Sequence, residues 1–272
     1  SNLLGMAIGM VATPVMASTV DLGDIQKLYG GVLMFSAIAF ALLAREEPAA
    51  IVQPGAPPVL SRRASLRFLS RRRPFLVILF SSGGTMGTFQ GVNVWIEQIV
   101  SPQSSTDGHF SAAFVGLVML VGAAMGCITW SALSDIAQRR VSLISISLLL
   151  EAVGLFALHY SGSPGGYLAG FTFGYFAGAN MAIGFQYAIE IGSPAQEVIS
   201  GWMIQLAGQL AVVYVYVMAA WRSWTGSFDQ ALTFSAALMA VLGIVIWFLP
   251  EPEGGIGIGS HASHELLGMV ER

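Results

Sequence analysis

Two short stretches hold the charges best placed to do work in an otherwise apolar chain. In ALSDIAQRR, residues 132–140, Asp135 precedes Arg139 and Arg140. In EIGSPAQEVISGW, residues 190–202, Glu190 and Glu197 flank a Ser193–Pro194 step. Proline lacks an N–H and disfavours helix in the residue before it, so Pro194 ends one helix and prepares the next. Ser193, Gln196 or Glu197 can then cap that next helix, where the dipole favours acids. The spacing puts Glu190 at the membrane depth of Arg139 and Arg140, either of which can pair with it. Asp135 is expected to face the helix start near Ser200 and Gly201. Contacts that form when one end of a helical bundle closes, and break when it opens, make a two-state latch. The simpler alternative is a solvated loop with arginines that only set topology.

A second set of polar residues lies inside apolar runs: Gln90 and Asn93, then Asn180, Gln186 and Tyr187, then Gln205 and Gln209. An unpartnered buried amide costs about 1–3 kcal/mol, so each must face a watered cavity or bond across helices. Gln205 and Gln209 are four apart and share a helix face. Glu151, in LISISLLLEAVGLFALHY, is an ionisable group at mid-span. It is open to two readings, a proton- or cation-coupling group or a protonated acid bonded to a neighbouring helix. Glycines recur at 83, 84, 87 and 91, and every four residues at 166, 170, 174 and 178, a spacing that suits close helix contact.

The elements that must position these groups follow from composition. Of 272 residues, 55% are hydrophobic and 10% are charged, against about 25% charged in a soluble domain. Apolar runs of about 20 residues, the length that crosses a bilayer, recur along the chain. Eight spans are expected, near 3–20, 28–44, 75–99, 111–133, 141–160, 166–191, 199–220 and 229–249. The segment 45–74 carries Arg45, Arg62, Arg63, Arg67, Arg71, Arg72 and Arg73. With Arg139, Arg140 and Arg272 it puts ten basic residues on one side, against Lys27 and Arg222 on the other. The arginine-rich side is therefore expected to be cytoplasmic. The 62–73 cluster also suits a helix lying on anionic lipid, although a pure topology signal explains it as well; nucleic acid is not an expected partner. Residues 250–272 read as a flexible tail. The single Cys127 lies in an apolar run. The sequence holds no metal-ligand cluster, nucleotide loop or nucleophile–base pattern, so no cofactor, metal or catalytic residue is expected.

ALSDIAQRR resembles the loop signature of the major facilitator superfamily, Gly-x-Leu-Ser/Ala-Asp-x-x-Gly-Arg-Arg/Lys, with Ser131 and Gln138 in place of the two glycines. It falls between the second and third helices of a six-helix half, where that superfamily carries it. The run NMAIGFQYAIEIGSPAQEVISGW resembles the junction of the tenth and eleventh helices in the feline leukaemia virus subgroup C receptor-related family. Gly184, Phe185, Ala188, Glu190, Pro194, Glu197, Ser200 and Gly201 keep the spacing, while Ser193 and Val198 depart from it. NLLGMAIGMVATPVMA and GGTMGTFQGVNVWIEQIV resemble that family's fifth and seventh helices.

This resemblance implies an all-α membrane protein, a partial major facilitator-type bundle. Residues 1–44 would be the last two helices of the N-terminal half, 45–74 the central basic loop and 75–249 the six-helix C-terminal half. The chain lacks an initiator Met, which fits a piece of a longer protein whose missing N-terminal helices would be its partner. The implied function is transport of a small organic solute by alternating access, in the plasma membrane or an endolysosomal or vacuolar membrane. Choline, ethanolamine and haem are the solutes the resemblance suggests. Choline-transporting members use a seventh-helix aromatic and glutamines on the fifth and eleventh helices. Here those positions hold Gln90, Leu3 and Gly208, with Gln209 beside the last. A non-transporting receptor on the same scaffold, or an inactive truncated transporter, is the alternative.

Overall fold

A computed structural model describes residues 19–43, 61–100, 112–160, 165–192, 195 and 197–251, with isolated positions 9, 12, 13 and 16. The expected span at 3–20, the Ser193–Pro194 step, Gln196, Arg45 and the tail beyond 251 lie outside the described residues. Within them the elements are α1 (Leu22–Leu43), α2 (Arg62–Leu69), α3 (Arg73–Val100), α4 (Ala112–Ala137), α5 (Arg140–Tyr160), α6 (Gly165–Gly192), α7 (Glu197–Leu210), α8 (Val213–Thr225) and α9 (Asp229–Trp247). Among the described residues, six segments are long and apolar enough to cross a membrane, the one from Val198 to Thr225 spanning both α7 and α8. The 28-residue α6 is long enough as well, but its polar and glycine content keeps it out of that set. The protein is an all-α, integral, multi-pass membrane protein.

Glycine decides how the bundle packs. A Cβ on Gly122, Gly126, Gly174 or Gly178 would run into backbone of the facing helix, so α4 and α6 touch main chain to main chain. The four-residue ridge on α6 thus meets a second ridge on α4. Gly154 brings α5 equally close to α6, where a Cβ would lie 2.6 Å from Phe173 N. Gly243 does the same for α9 against α5, assisted by the Ser145 hydroxyl donating to Gly243 O. These contacts join α4, α5, α6 and α9 into one block. Its apolar filling includes Met119, Leu120, Ile144, Leu148, Leu155 and Phe173, all fully buried.

A second set of small residues ties α3 to α7 and α8. Gly83 faces Ala207, Gly87 faces Ala211 and Tyr214, and Gly91 faces Met218. Trp95 Nε1 donates to Val215 O at 3.1 Å, pinning α3 to α8. The single span expected at 199–220 is interrupted at Ala211–Val212. There Val212, Tyr214 and Val215 donate to carbonyls three residues back instead of four. The following run, VVYVYV, is rich in β-branched and aromatic residues that lose rotamer freedom in a helix, which accounts for the tightened turn.

Two further elements lie outside the main packing. α1 is almost wholly exposed, with Ile25 its buried side chain among the described residues, and it presents Leu33, Met34, Phe35, Phe40, Leu42 and Leu43. Such an apolar face suits lipid or further helices. α2 docks by Ser65 and Leu69, both fully buried, while Arg62, Arg63 and Arg67 stay exposed. Leu69 reaches the position where α6 ends, 3.5 Å from where a Gly192 Cβ would sit.

Candidate functional site: a charged end and a polar interior

The loop between α4 and α5 is two residues long and turns on Gln138, whose φ is +55°. L-residues rarely adopt this left-handed conformation, and it is where the resembling loop signature carries glycine. Gln138 Nε2 donates to Asp135 O at 2.8 Å, which holds the turn. The tight turn makes Arg140 the first residue of α5 and aims its guanidinium inward, with a side chain only 7% exposed.

Arg140 Nη2 lies 2.7 Å from Glu190 Oε1, whose side chain is 9% exposed, and 3.7 Å from Asp135 Oδ1. Asp135 Oδ1 also accepts from Gln186 Nε2 at 3.2 Å. Of the two arginines, Arg140 is thus the one that meets Glu190, while Arg139 is exposed. Asp135 finds its partners on α5 and α6 rather than at the start of α7. Arg140 Nη1, Glu190 Oε2, Ser134 Oγ and Ser200 Oγ are buried and without hydrogen-bond partners among the described residues. This end of the bundle therefore retains unused polar capacity, which is costly in a static core.

A third carboxylate completes the cluster. Glu251, just past α9, accepts from the backbone N–H groups of Val141 at 3.2 Å and Ser142 at 3.4 Å. It caps the N-terminus of α5 from across the bundle, where orphan N–H groups and the helix dipole favour an anion. Beside it, the Tyr187 hydroxyl donates to Pro250 O at 2.8 Å. The tail expected from residue 250 thus starts with two residues held by α5 and α6. Sequence reasoning missed Glu251; a lone acid directly after an apolar span is the signal that points to it.

The interior polar residues divide into separate groups. Gln186 and Tyr187, expected at a cavity, bond at the charged end. Asn180 lies in the core, its Nδ2 donating to Thr85 Oγ1 at 2.6 Å, and Thr85 donates in turn to Glu151 Oε2 at 3.3 Å. Thr85 Oγ1 also lies 3.6 Å from Met239 Sδ. Glu151 is fully buried and its Oε1 is without a partner among the described residues. Gln90 and Asn93 are half-buried on α3, the Asn93 Oδ1 atom itself being buried and without a partner among the described residues. Gln205 and Gln209 lie on the exposed face of α7. Glu197 opens α7, its side chain lying outside the described ones.

No protein-family model matches the chain. Among curated proteins it is similar to the choline/ethanolamine transporter FLVCR1 of Felis catus, 24% identical over 265 residues, covering 90% of this chain and 47% of that protein. The choline/ethanolamine transporter flvcr2a of Danio rerio is 24% identical over 232 residues, covering 77% of this chain and 48% of that protein. An uncharacterised MFS-type transporter of Caenorhabditis elegans is 22% identical over 261 residues, covering 88% and 44%. The chain spans about half the length of the curated relatives it matches. The resemblance carried by residues 180–202 and 132–140 and these similarities point to the same transporters.

Proposed function

We propose that this chain is the solute-carrying C-terminal part of an alternating-access transporter, with two further helices before it. The observation that carries the reading is the similarity over 90% of the chain to a choline/ethanolamine transporter. Gln205 and Gln209 on α7, with Gln90 and Asn93 on the facing α3, are the solute contacts we assign. Amide carbonyls accept from a hydroxyl or an ammonium group, which suits an amino alcohol such as ethanolamine or the hydroxyl of choline. The cation–π partner expected on α3 for a quaternary ammonium is replaced by Gln90, which favours primary over quaternary amines. Haem is the poorer candidate, since its large apolar ring would require an apolar pocket rather than paired amides.

In this reading Asp135, Arg140, Glu190 and Glu251 brace the arginine-rich, cytoplasmic end. The exposed arginines of α2, anchored through Leu69, rest on anionic headgroups of that leaflet. The test is uptake of labelled ethanolamine and choline by cells expressing the full-length protein that contains this chain, with surface expression confirmed. Saturable uptake that Q205A/Q209A abolishes supports the proposal. Absence of uptake for both solutes, or uptake indifferent to those substitutions, overturns the assignment.

A further inference from the structure

Thr85 occupies a particular position between the two packing units. It belongs to α3, which is tied through glycines to α7 and α8. Its partners Asn180, Glu151 and Met239 all belong to the block formed by α6, α5 and α9. The Thr85 hydroxyl is therefore a polar link across this seam, beside the apolar contacts of Phe89 with Phe173 and of Gly84 with Met239. It accepts from Asn180 and gives its one proton toward Glu151, so it cannot satisfy both carboxyl oxygens. Glu151 Oε1 is left buried and without a partner among the described residues.

Among the described residues, the helices packed around Glu151 offer it no countercharge. On α3 the ionisable groups are Arg73 and Glu97, at its two ends. On α5 they are Arg140, His159 and Tyr160, again at its ends. On α6 they are Glu190 and Tyr187 at the charged end, Tyr167 near the other end, and Tyr175, whose hydroxyl bonds Thr129 on α4 at 2.7 Å. On α9 there is Asp229 at its start, paired with His159 across 3.6 Å. An ionised carboxylate here would be an uncompensated charge in an apolar interior, and such groups neutralise instead.

We propose that Glu151 is a proton-binding site that reports whether the α3 seam is closed. In the closed arrangement the proton sits on Oε1 and Thr85 donates to Oε2. When α3 withdraws with α7 and α8, Thr85 leaves and water enters the seam. The Oε1–H bond then breaks, the proton passes to water, and the carboxylate remains solvated until the seam closes again.

Infrared spectroscopy of the full-length protein in lipid nanodiscs tests this without any transported solute, so its failure is distinguishable from failure of the transport reading. The wild type should show the carbonyl stretch of a buried protonated acid, and E151Q, an isosteric change, should lose that band. On transfer to heavy water the band should move to its deuterated position at the rate at which the seam opens. A cysteine pair at Gly84 and Leu242, in a Cys127→Ser background, joins α3 to α9 across the seam; oxidised, it should block that move, and reduced, restore it. Absence of the band in the wild type, or its persistence in E151Q, overturns the proposal. So does exchange that the oxidised pair leaves unchanged. If the cysteine variant fails to accumulate, the wild-type and E151Q comparison still decides whether Glu151 carries the proton.

Discussion

Arg140 and Glu190 meet at 2.7 Å, joining the first residue of α5 to the last turn of α6 with both side chains less than a tenth exposed. A pair this buried gains little over an apolar replacement, but removing one partner strands the other charge. R140A or E190A should each destabilise the bundle by about 3 kcal/mol. The exchanged pair R140E/E190R should recover part of that loss. Thermal unfolding in detergent measures it, and an exchanged variant no more stable than either single one would show that the pair does not couple.

Glu251 should matter more than an acid after the last span ordinarily would. Replacing it with Ala leaves the Val141 and Ser142 N–H groups uncapped, at a cost of about 1 kcal/mol. Amide hydrogen exchange at the start of α5 should quicken, while exchange at the middle of α5 should not.

Gln138 holds a left-handed backbone conformation, φ +55°, that costs an L-residue about 1–2 kcal/mol. Q138G should stabilise the protein by about 0.5–1 kcal/mol, since glycine's greater unfolded-state freedom offsets part of the gain. A lower unfolding temperature for Q138G would mean that the bond from its side chain to Asp135 O outweighs the strain.

Substituting Val for Gly126 or Gly178 sets a side chain against the Tyr175 or Ala123 carbonyl. Overpacking ordinarily costs about 1–3 kcal/mol, and contact with rigid backbone should put these variants at or above that limit. Poor recovery of folded protein after solubilisation is the expected outcome. The same change at Gly30, which has open space around it, serves as the control.

Q205A and Q209A should leave stability within about 0.5 kcal/mol, as substitutions at exposed sites do, while changing solute uptake by the full-length protein. Lost stability with unchanged uptake would assign the two amides to packing instead.

Much of this architecture is legible in the sequence because hydropathy and chain length act locally. The runs that cross a membrane, the turn between α4 and α5 and the glycine spacing on α6 follow from residue type and period. Partner choice is not local. Whether Arg139 or Arg140 meets Glu190 depends on the handedness of a two-residue turn. Gln186 and Asn180 lie six residues apart on α6, yet one bonds at the charged end and the other deep in the core. Glu251 was hidden because its partners, Val141 and Ser142, are backbone groups some 110 positions earlier, and a backbone donor leaves no mark in residue type. The break at Ala211–Val212 left only a weak trace, since a run of valines and tyrosines also fits an unbroken span.

The glycine contacts have a mechanical consequence. Where α4, α5 and α6 meet main chain to main chain, no side chain is available to change rotamer and absorb a displacement. These helices, with α9, must travel as a single rigid strut. The interrupted span of α7 and α8, with its tightened turn at 211–212, lies outside that strut. The acids and the arginine at the charged end all belong to the strut. They stiffen it, while Arg140 Nη1 and Glu190 Oε2, without a hydrogen-bond partner among the described residues, keep capacity for a further one.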